Sequence, residues 1–384
     1  MRRRIYLDHA ATTPIHPAVR EAMAPYLAAE FGNPSSIHAW GRAARRAVDE
    51  ARDTVAAALG AASGAEIIFT SGGSEADNLA LKGLAFAPWR EARRNRIVIS
   101  SIEHHAVLDT AEFLAAHGFD VVRVRVDGDG LIDLEALSEA VTDRTLVVSV
   151  MHANNEVGTI QPVKWVAAIA HRAGALVHTD AVQTVGHLQV DVTSLECDLL
   201  ALSAHKFYGP KGVGCLYVRR GVRLAPLIHG GGQERERRAG TENVAGIVGL
   251  ARALELAEAD RATEAVRLAA LRDRLIAGIE AGLPAARLNG HRSQRLPNNA
   301  HFCFPGVQGE SLLLNLDLEG IAASSGSACT AGSLEASHVL LAMGLSRELA
   351  EGSLRLSLGR GNTEAEIDAA IEAITRIVER LTER

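Results

Sequence analysis

The chain has 384 residues, 47% of them apolar and 22% charged. That is enough apolar material for one large domain and a smaller one, each with its own core, and too much for a disordered chain. Its 40 lysines and arginines against 46 aspartates and glutamates leave a formal charge of −6, which excludes a global basic field able to gather nucleic acid or an anionic membrane surface. The opening Met1-Arg-Arg-Arg runs into polar residues and not into the apolar core of a signal peptide, and no stretch nears the length needed to span a bilayer. Four cysteines, Cys197, Cys215, Cys303 and Cys329, are widely spread with no C-x-x-C pair. This argues against a disulfide framework or a zinc knuckle, predicts no metal site, and fits a reducing, cytoplasmic setting.

In chain order, residues 10–60 carry turn signals at Thr13-Pro14 and Asn33-Pro34, then a long helical pattern after His38. Short aliphatic runs follow: Glu66-Ile-Ile-Phe-Thr, Arg96-Ile-Val-Ile-Ser, Val121-Val-Arg-Val, Thr145-Leu-Val-Val-Ser-Val, Ala175-Leu-Val-His-Thr-Asp and Asp198-Leu-Leu-Ala-Leu-Ser. Helix formers fill the intervals at 75–86, 106–117 and 163–173. The alternation predicts an α/β domain with a mainly parallel sheet covered on both faces. From about residue 250 the pattern changes to a long Ala/Leu/Arg/Glu helix, short strands near 299–304 and 353–358, and a last helix from Thr363, which reads as a smaller α+β domain.

The chemistry-bearing residues stand where strands end, the place at which open α/β sheets bind ligands. After the first run comes Ser71-Gly-Gly-Ser-Glu-Ala-Asp. Its glycines allow a tight turn, Ser74 with Asp77 resembles a capping box, and the backbone N–H groups of a helix start there can hold a phosphate. Taken alone, the same loop also serves as an ordinary connection. Asp180 and Gln183 follow another strand, where a carboxylate can keep a pyridine nitrogen protonated. Ser203-Ala-His-Lys206 ends the next one, and Lys206 can attach an aldehyde cofactor through its amine, although an isolated loop lysine is usually just solvated. Phosphate cup, ring-nitrogen carboxylate and lysine together are what pyridoxal 5'-phosphate (PLP) requires of a protein. In Ser353-Leu-Arg-Leu-Ser-Leu the leucines share one face and Arg355 the other. An inward Arg355 suits an α-carboxylate, while an edge arginine is commonly solvated.

Tyr6-Leu-Asp-His-Ala-Ala-Thr-Thr-Pro, Phe31-Gly-Asn-Pro-Ser-Ser, Met151-His-Ala-Asn-Asn-Glu-Val-Gly-Thr-Ile-Gln-Pro, Gly230-Gly-Gly-Gln-Glu, Arg238-Ala-Gly-Thr-Glu-Asn and Ser325-Gly-Ser-Ala-Cys-Thr resemble the NifS-like cysteine desulfurases of the class-V aminotransferase family, over residues 5 to about 361. The resemblance implies fold type I of the PLP-dependent transferases: a large domain over 15–250 with a mainly parallel seven-stranded sheet, and a small domain from 1–14 and 251–384. It implies that Lys206 carries PLP, that Asp180 pairs with the ring nitrogen, and that Gln183 and Asn155 lie near the ring hydroxyl and the substrate. Gly73, Ser74, Ser203 and His205 match phosphate-binding positions. Thr241 matches one that reaches the phosphate from the partner subunit, which implies a homodimer. His104 resembles the histidine over the cofactor ring and can move protons; its neighbour His105 is expected to face the opposite way. Arg355 matches the position that binds the substrate carboxylate.

Cys329 decides the expected reaction. It sits in Ala322-Ala-Ser-Ser-Gly-Ser-Ala-Cys-Thr-Ala-Gly-Ser, a composition that predicts a mobile loop, whereas the other three cysteines stand in or beside apolar runs and read as core thiols. Without the PLP residues around it, Cys329 would read equally as a surface thiol. With them, the expectation is that L-cysteine yields L-alanine and a persulfide on Cys329, with sulfur passed to an acceptor protein such as an iron–sulfur cluster scaffold, no nucleic acid or membrane being required. Selenocysteine lyase and PLP aminotransferase are the rival readings.

Overall fold

A computed structural model describes residues 4–88, 90–91, 93–325 and 336–383. The chain opens with β1 (Ile5–Tyr6), α1 (Pro17–Leu27) and α2 (Ala39–Ala58). Both helices are capped by histidine: Nδ1 of His16 accepts from the backbone N–H of Ala18 and that of His38 from Gly41, satisfying donors that a helix start leaves unpaired. Strands and helices then alternate through β2 (Ile67–Thr70), α3 (Gly73–Ala85), β3 (Arg96–Ser100), α4 (His105–Ala116), β4 (Asp120–Val124), α5 (Leu134–Ala140), β5 (Thr145–Ser149), α6 (Val163–Arg172), β6 (Leu176–Asp180), α7 (Val192–Leu195), β7 (Leu199–Ser203) and β8 (Gly214–Val218).

Strands β2 to β8 form a seven-stranded sheet in the order β2-β8-β7-β6-β5-β3-β4. The pairs from β7 through β6, β5 and β3 to β4 are parallel, while β8 runs antiparallel to β2 and β7. Every residue of β2, β5, β7 and β8 is buried, as expected of strands covered on both faces. The mainly parallel seven-stranded sheet and the α/β class expected from the sequence are both present.

Beyond it come α8 (Val244–Gly282), β9 (Arg287–Leu288), β10 (Asn299–Cys303), α9 (Gly309–Leu318), β11 (Ile321–Ala322), α10 (His338–Ala342), α11 (Arg347–Glu351), β12 (Ser353–Ser357) and α12 (Glu364–Thr382). An antiparallel sheet, β12-β10-β9, and the parallel pair β1–β11 pack around a second core. The long α8 serves both cores: Ile247, Leu250 and Leu254 belong to the first, Leu268, Leu275 and Ile279 to the second. A full capping box at Thr363 and Glu366 starts α12. Among the described residues no helix is long and apolar enough to cross a membrane.

One local expectation is corrected. Ser74 and Asp77 do not form a capping box: Gly72 occupies the cap position of α3, and Glu75 Oε2 accepts from the Ser71 backbone N–H at 2.7 Å. Glu75 is the acid one turn from the helix start, the position from which a carboxylate can reach back. Asp77, two residues on, is therefore left to point inward, and it is 1% exposed.

Candidate active site

The carboxyl ends of β2, β5, β6 and β7 open into one cavity of about 260 Å³, closed on the far side by β12 and by the backbone of Ala10 and Ala11. Of the residues singled out in the sequence, Gly73, Ser74, His104, Asn155, Asp180, Gln183, Ser203, His205, Lys206 and Arg355 all line it. Thr241 is exposed and stands outside this cavity. Cys329 lies outside the described residues.

Lys206 follows β7 on a single turn of 3-10 helix. Its Nζ donates to the carbonyl oxygens of Ala10 at 2.5 Å and Ala11 at 2.9 Å, and Gln183 Nε2 donates to the same Ala10 oxygen at 3.1 Å. The N-terminal segment is thus strapped across the lysine by its own backbone. His205 Nδ1 is 3.2 Å from Thr12 Oγ1, and burial together with the charges of Lys206 and Lys211 lowers its pKa to about 4.

Asp180 ends β6, where its Oδ1 accepts from the Val182 backbone N–H at 2.8 Å. Burial, and after it the neighbouring carboxylate of Asp77, raises its pKa to about 7, so the group gains by facing a cation. His104 caps α4 with Nδ1 accepting from the Ala106 backbone N–H at 3.1 Å. Burial, then the charge of Lys206, lowers its pKa to about 4. The ring is therefore neutral at pH 7, and because Nδ1 accepts, its proton sits on Nε2.

His105 also lines the cavity, with its ring centroid 6.4 Å from that of His104. The expected opposite orientation assumed an extended segment; here His104 is a cap and His105 the first residue of a helix, so both rings reach the same side. His338 joins them, 4.9 Å from the His105 ring.

Arg355 comes from the other core. Leu354, Leu356 and Leu358 are fully buried there, which turns Arg355 to the cavity side of β12. Its side chain is 2% exposed; Nη1 donates to the Asn155 carbonyl and Nη2 to Asp8 Oδ1, both at 2.9 Å. The arginine is therefore a wall of the cavity and not an exposed edge charge.

Cys197, Cys215 and Cys303 are all buried. Desolvation pushes the Cys197 thiol up to about 12 and the Cys303 thiol to about 11, and raises Cys215 as well. None of them is a thiolate at neutral pH, in keeping with core thiols.

Sequence reading missed Asp8, Asp77, Glu156 and His338, which also touch or line the cavity, and the buried Glu103 and His178 behind it. Strand periodicity could have found His178: it lies two residues before Asp180 on β6 and so shares its face.

Comparison with known proteins follows the same geometry. Residues 5–370 match the family model described as aminotransferase class-V. The chain belongs to the class-V aminotransferase family. It is 51% identical over 381 residues to the cysteine desulfurase IscS of Dictyoglomus turgidum, covering 99% of this chain and 96% of that one. Among solved structures, a NifS-like protein superposes with a TM-score of 0.92 at 42% identity, over 98% of this chain and 100% of the other. SspA in complex with cysteine gives a TM-score of 0.80 at 37% identity, over 92% and 98%.

The family is PLP-dependent, and the residues present fit that group. A Cβ on Gly73 would stand 2.7 Å from Val182 Cγ2, so the glycine lets the start of α3 pack closely on the turn after β6, and a helix start can offer its backbone N–H groups to an anion beside the side chains of Ser74, Ser203 and His205. Asp180 suits a protonated ring nitrogen, and Lys206 supplies an amine inside the cavity.

Proposed function

We propose that this protein is a PLP-dependent cysteine desulfurase that takes sulfur from L-cysteine, leaving L-alanine and a persulfide on Cys329. The observation that carries the reading is the meeting of Lys206, Asp180, His104 and Arg355 in one cavity, in a chain half identical to cysteine desulfurases over its whole length. The solved relative with cysteine bound supports the substrate.

Bound PLP supplies an electron sink for negative charge at the substrate's α-carbon. The N-terminal turn of α3 with Ser74, Ser203 and His205 holds its phosphate, Asp180 its ring nitrogen, and Gln183 and Asn155 the edge that carries the ring hydroxyl. Lys206 holds the cofactor at rest. With substrate bound, its Nζ could carry a proton to and from the α-carbon side. His104, neutral with its proton on Nε2, would stand beside the cofactor in the same cavity and could donate or take up that proton. Arg355 binds the substrate carboxylate, which competes with Asp8 for the guanidinium. The Cys329 thiolate then attacks the substrate sulfur: a sulfur–sulfur bond forms as the carbon–sulfur bond breaks, and the electron pair left on carbon takes up a proton to give alanine.

The division proposed for the chain is a large PLP-binding part over 15–250 and a small part from 1–14 and 251–384 that carries Cys329. Thr241, exposed and outside its own cavity, fits a residue that completes the phosphate site of a partner subunit, so the proposed working unit is a homodimer. The acceptor proposed for the persulfide sulfur is a protein such as an iron–sulfur scaffold, in the cytoplasm.

The test is the intact mass of the PLP-loaded protein after exposure to L-cysteine without reductant. One added sulfur, mapped to the Cys329 peptide and missing from Lys206→Ala, is expected. PLP-loaded protein that gains no sulfur at Cys329 would overturn the reading.

A further inference from the structure

Asp77 is a fully buried acid at the cavity to which the reaction above gives no task. It lies on α3 four residues after Gly73, and one oxygen of Asp77, one of Asp180 and a ring nitrogen of His104 fall within 4.8 Å of one another. Behind it Asp77 Oδ1 is 3.4 Å from His178 Nε2, and neither atom makes a well-directed hydrogen bond. The other nitrogen of His178, Nδ1, is 2.8 Å from Ser149 Oγ. Ser149 and His178 are register partners on β5 and β6, so a buried line runs Ser149, His178, Asp77, Asp180 from the middle of the sheet to the cavity floor.

The charged and titratable groups facing Asp77 are His178 and Asp180 from β6, Glu103 and His104 from the turn before α4, and Lys206 after β7. Three of these six groups, counting Asp77, are buried acids. Glu103 accepts from the Met151 backbone N–H at 2.7 Å and is pushed well above the carboxylate range by burial. Asp180 has both a backbone N–H and the charge of Lys206 to favour its ionised form. Asp77 has neither, only the edge of a histidine that burial keeps neutral. Two carboxylates this close, away from water, cannot both ionise.

We propose that Asp77, braced by His178 and Ser149, is a positioning residue that holds a proton beneath Asp180 and so reserves the single negative charge of the cavity floor for the nitrogen of the cofactor ring. The O–H of Asp77 donates towards His178 Nε2, whose Nδ1–H donates to Ser149 Oγ; the two unpartnered atoms of the line, Asp77 Oδ1 and His178 Nε2, are then paired with each other. The inference rests on the reading that Asp180 faces that nitrogen.

The experiment is a pH titration of the visible absorption of the PLP-loaded wild type, D77N and H178Q, with PLP affinity measured by reconstitution of each. Asparagine copies the shape and neutrality of a protonated aspartate but cannot ionise. D77N is expected to keep wild-type PLP affinity and neutral-pH absorption while losing an alkaline step near pH 8, where Asp77 ionises. H178Q is expected to displace that step. A D77N titration superimposable on the wild type overturns the proposal, and so does D77N losing PLP, which would mean that the charge of Asp77 and not its proton matters. If D77N does not fold, an unmoved step in H178Q overturns it. A wild type that shows no PLP bound at Lys206 would fail the functional reading instead, whatever Asp77 does.

Discussion

The floor and the wall of the cavity solve opposite electrostatic problems. On the floor, Asp77, Asp180 and Glu103 are acids with almost no exposure, and the described cation among them, Lys206, is turned to the carbonyls of Ala10 and Ala11. On the wall, Arg355 is a buried cation already matched by Asp8 and a carbonyl. A floor short of positive charge invites a cationic ring that stays; a wall with a replaceable carboxylate partner invites an anionic substrate that comes and goes. The two come from different cores, the floor from the seven-stranded sheet and α3, the wall from β12, so each can be broken without the other.

The largest expected effect is on the floor. Asp180→Asn removes the charge that faces the ring nitrogen, and should lower kcat on the order of 10²–10³-fold with altered cofactor absorption. Steady-state alanine release and a spectrum of the same sample check it; an unchanged kcat would detach Asp180 from the ring. A change in the wall should look different. Arg355→Lys keeps a cation but loses the fork, and should raise KM for L-cysteine by roughly 10- to 100-fold, about 1.5–3 kcal/mol, with the absorption of bound PLP unchanged. If the spectrum moves and KM does not, Arg355 belongs to the floor.

Protons act on the two regions unequally. Burial lowers His104, His178 and His205 near the floor to about 4, and His9, His152 and His187 likewise, with His301 at about 3. Unfolded histidine titrates near 6.5, so between about pH 6.5 and pH 4 the unfolded chain binds more protons and stability falls as pH falls. The raised acids oppose this: folded Asp77 and Asp180, at about 8 and 7, stay protonated where their unfolded counterparts are ionised, which adds stability as pH falls through those values. Those seven histidines outnumber the three raised acids, Asp77, Asp180 and Glu103, so Tm of the protein stripped of PLP should drop on the acid side of pH 6.5. A flat Tm from pH 6.5 to 4.5 would show that the rings open to water before they charge.

Much of this was legible in the sequence, for a physical reason. Parallel strands buried on both faces are continuous aliphatic runs, and the end of such a run marks a ligand site; that located Asp180, Ser203 and Lys206, whereas the Ser-Leu-Arg alternation set Arg355 opposite the leucines but left it open between an inward group and a solvated edge charge. The seventh strand, β8, was not read as one, because Gly214-Cys-Leu-Tyr-Val is a short run directly behind the Gly/Pro-rich turn after Lys206. Pairs formed only by tertiary contact were invisible too: Asp8 is 347 residues from Arg355. Asp77 was misread for a subtler reason, since an acid near a helix start looks like a cap until the neighbouring Glu75 is seen to do that work.

The smallest expected effects come from the two scaffolds behind floor and wall, and the buried thiols probe them separately. Cys215 on β8 lies in the core of the seven-stranded sheet, within reach of the buried charges of Arg52 and Glu234. Cys303 on β10 lies behind the wall, where its Sγ accepts from Asn289 Nδ2 at 3.0 Å. Cys215→Ala removes one buried sulfur and should cost about 1 kcal/mol. Cys303→Ala removes a sulfur and also strips one partner from an amide that is itself 1% exposed, so it should cost more, about 2 kcal/mol. Denaturant midpoints at unchanged slope measure both. Each variant should still gain one sulfur from L-cysteine, because neither thiol ionises near neutral pH. Loss of that sulfur in Cys303→Ala with Tm preserved would mean that the wall depends on its own core more tightly than the floor does, and that Arg355 is held in place from behind by Asn289 and Cys303.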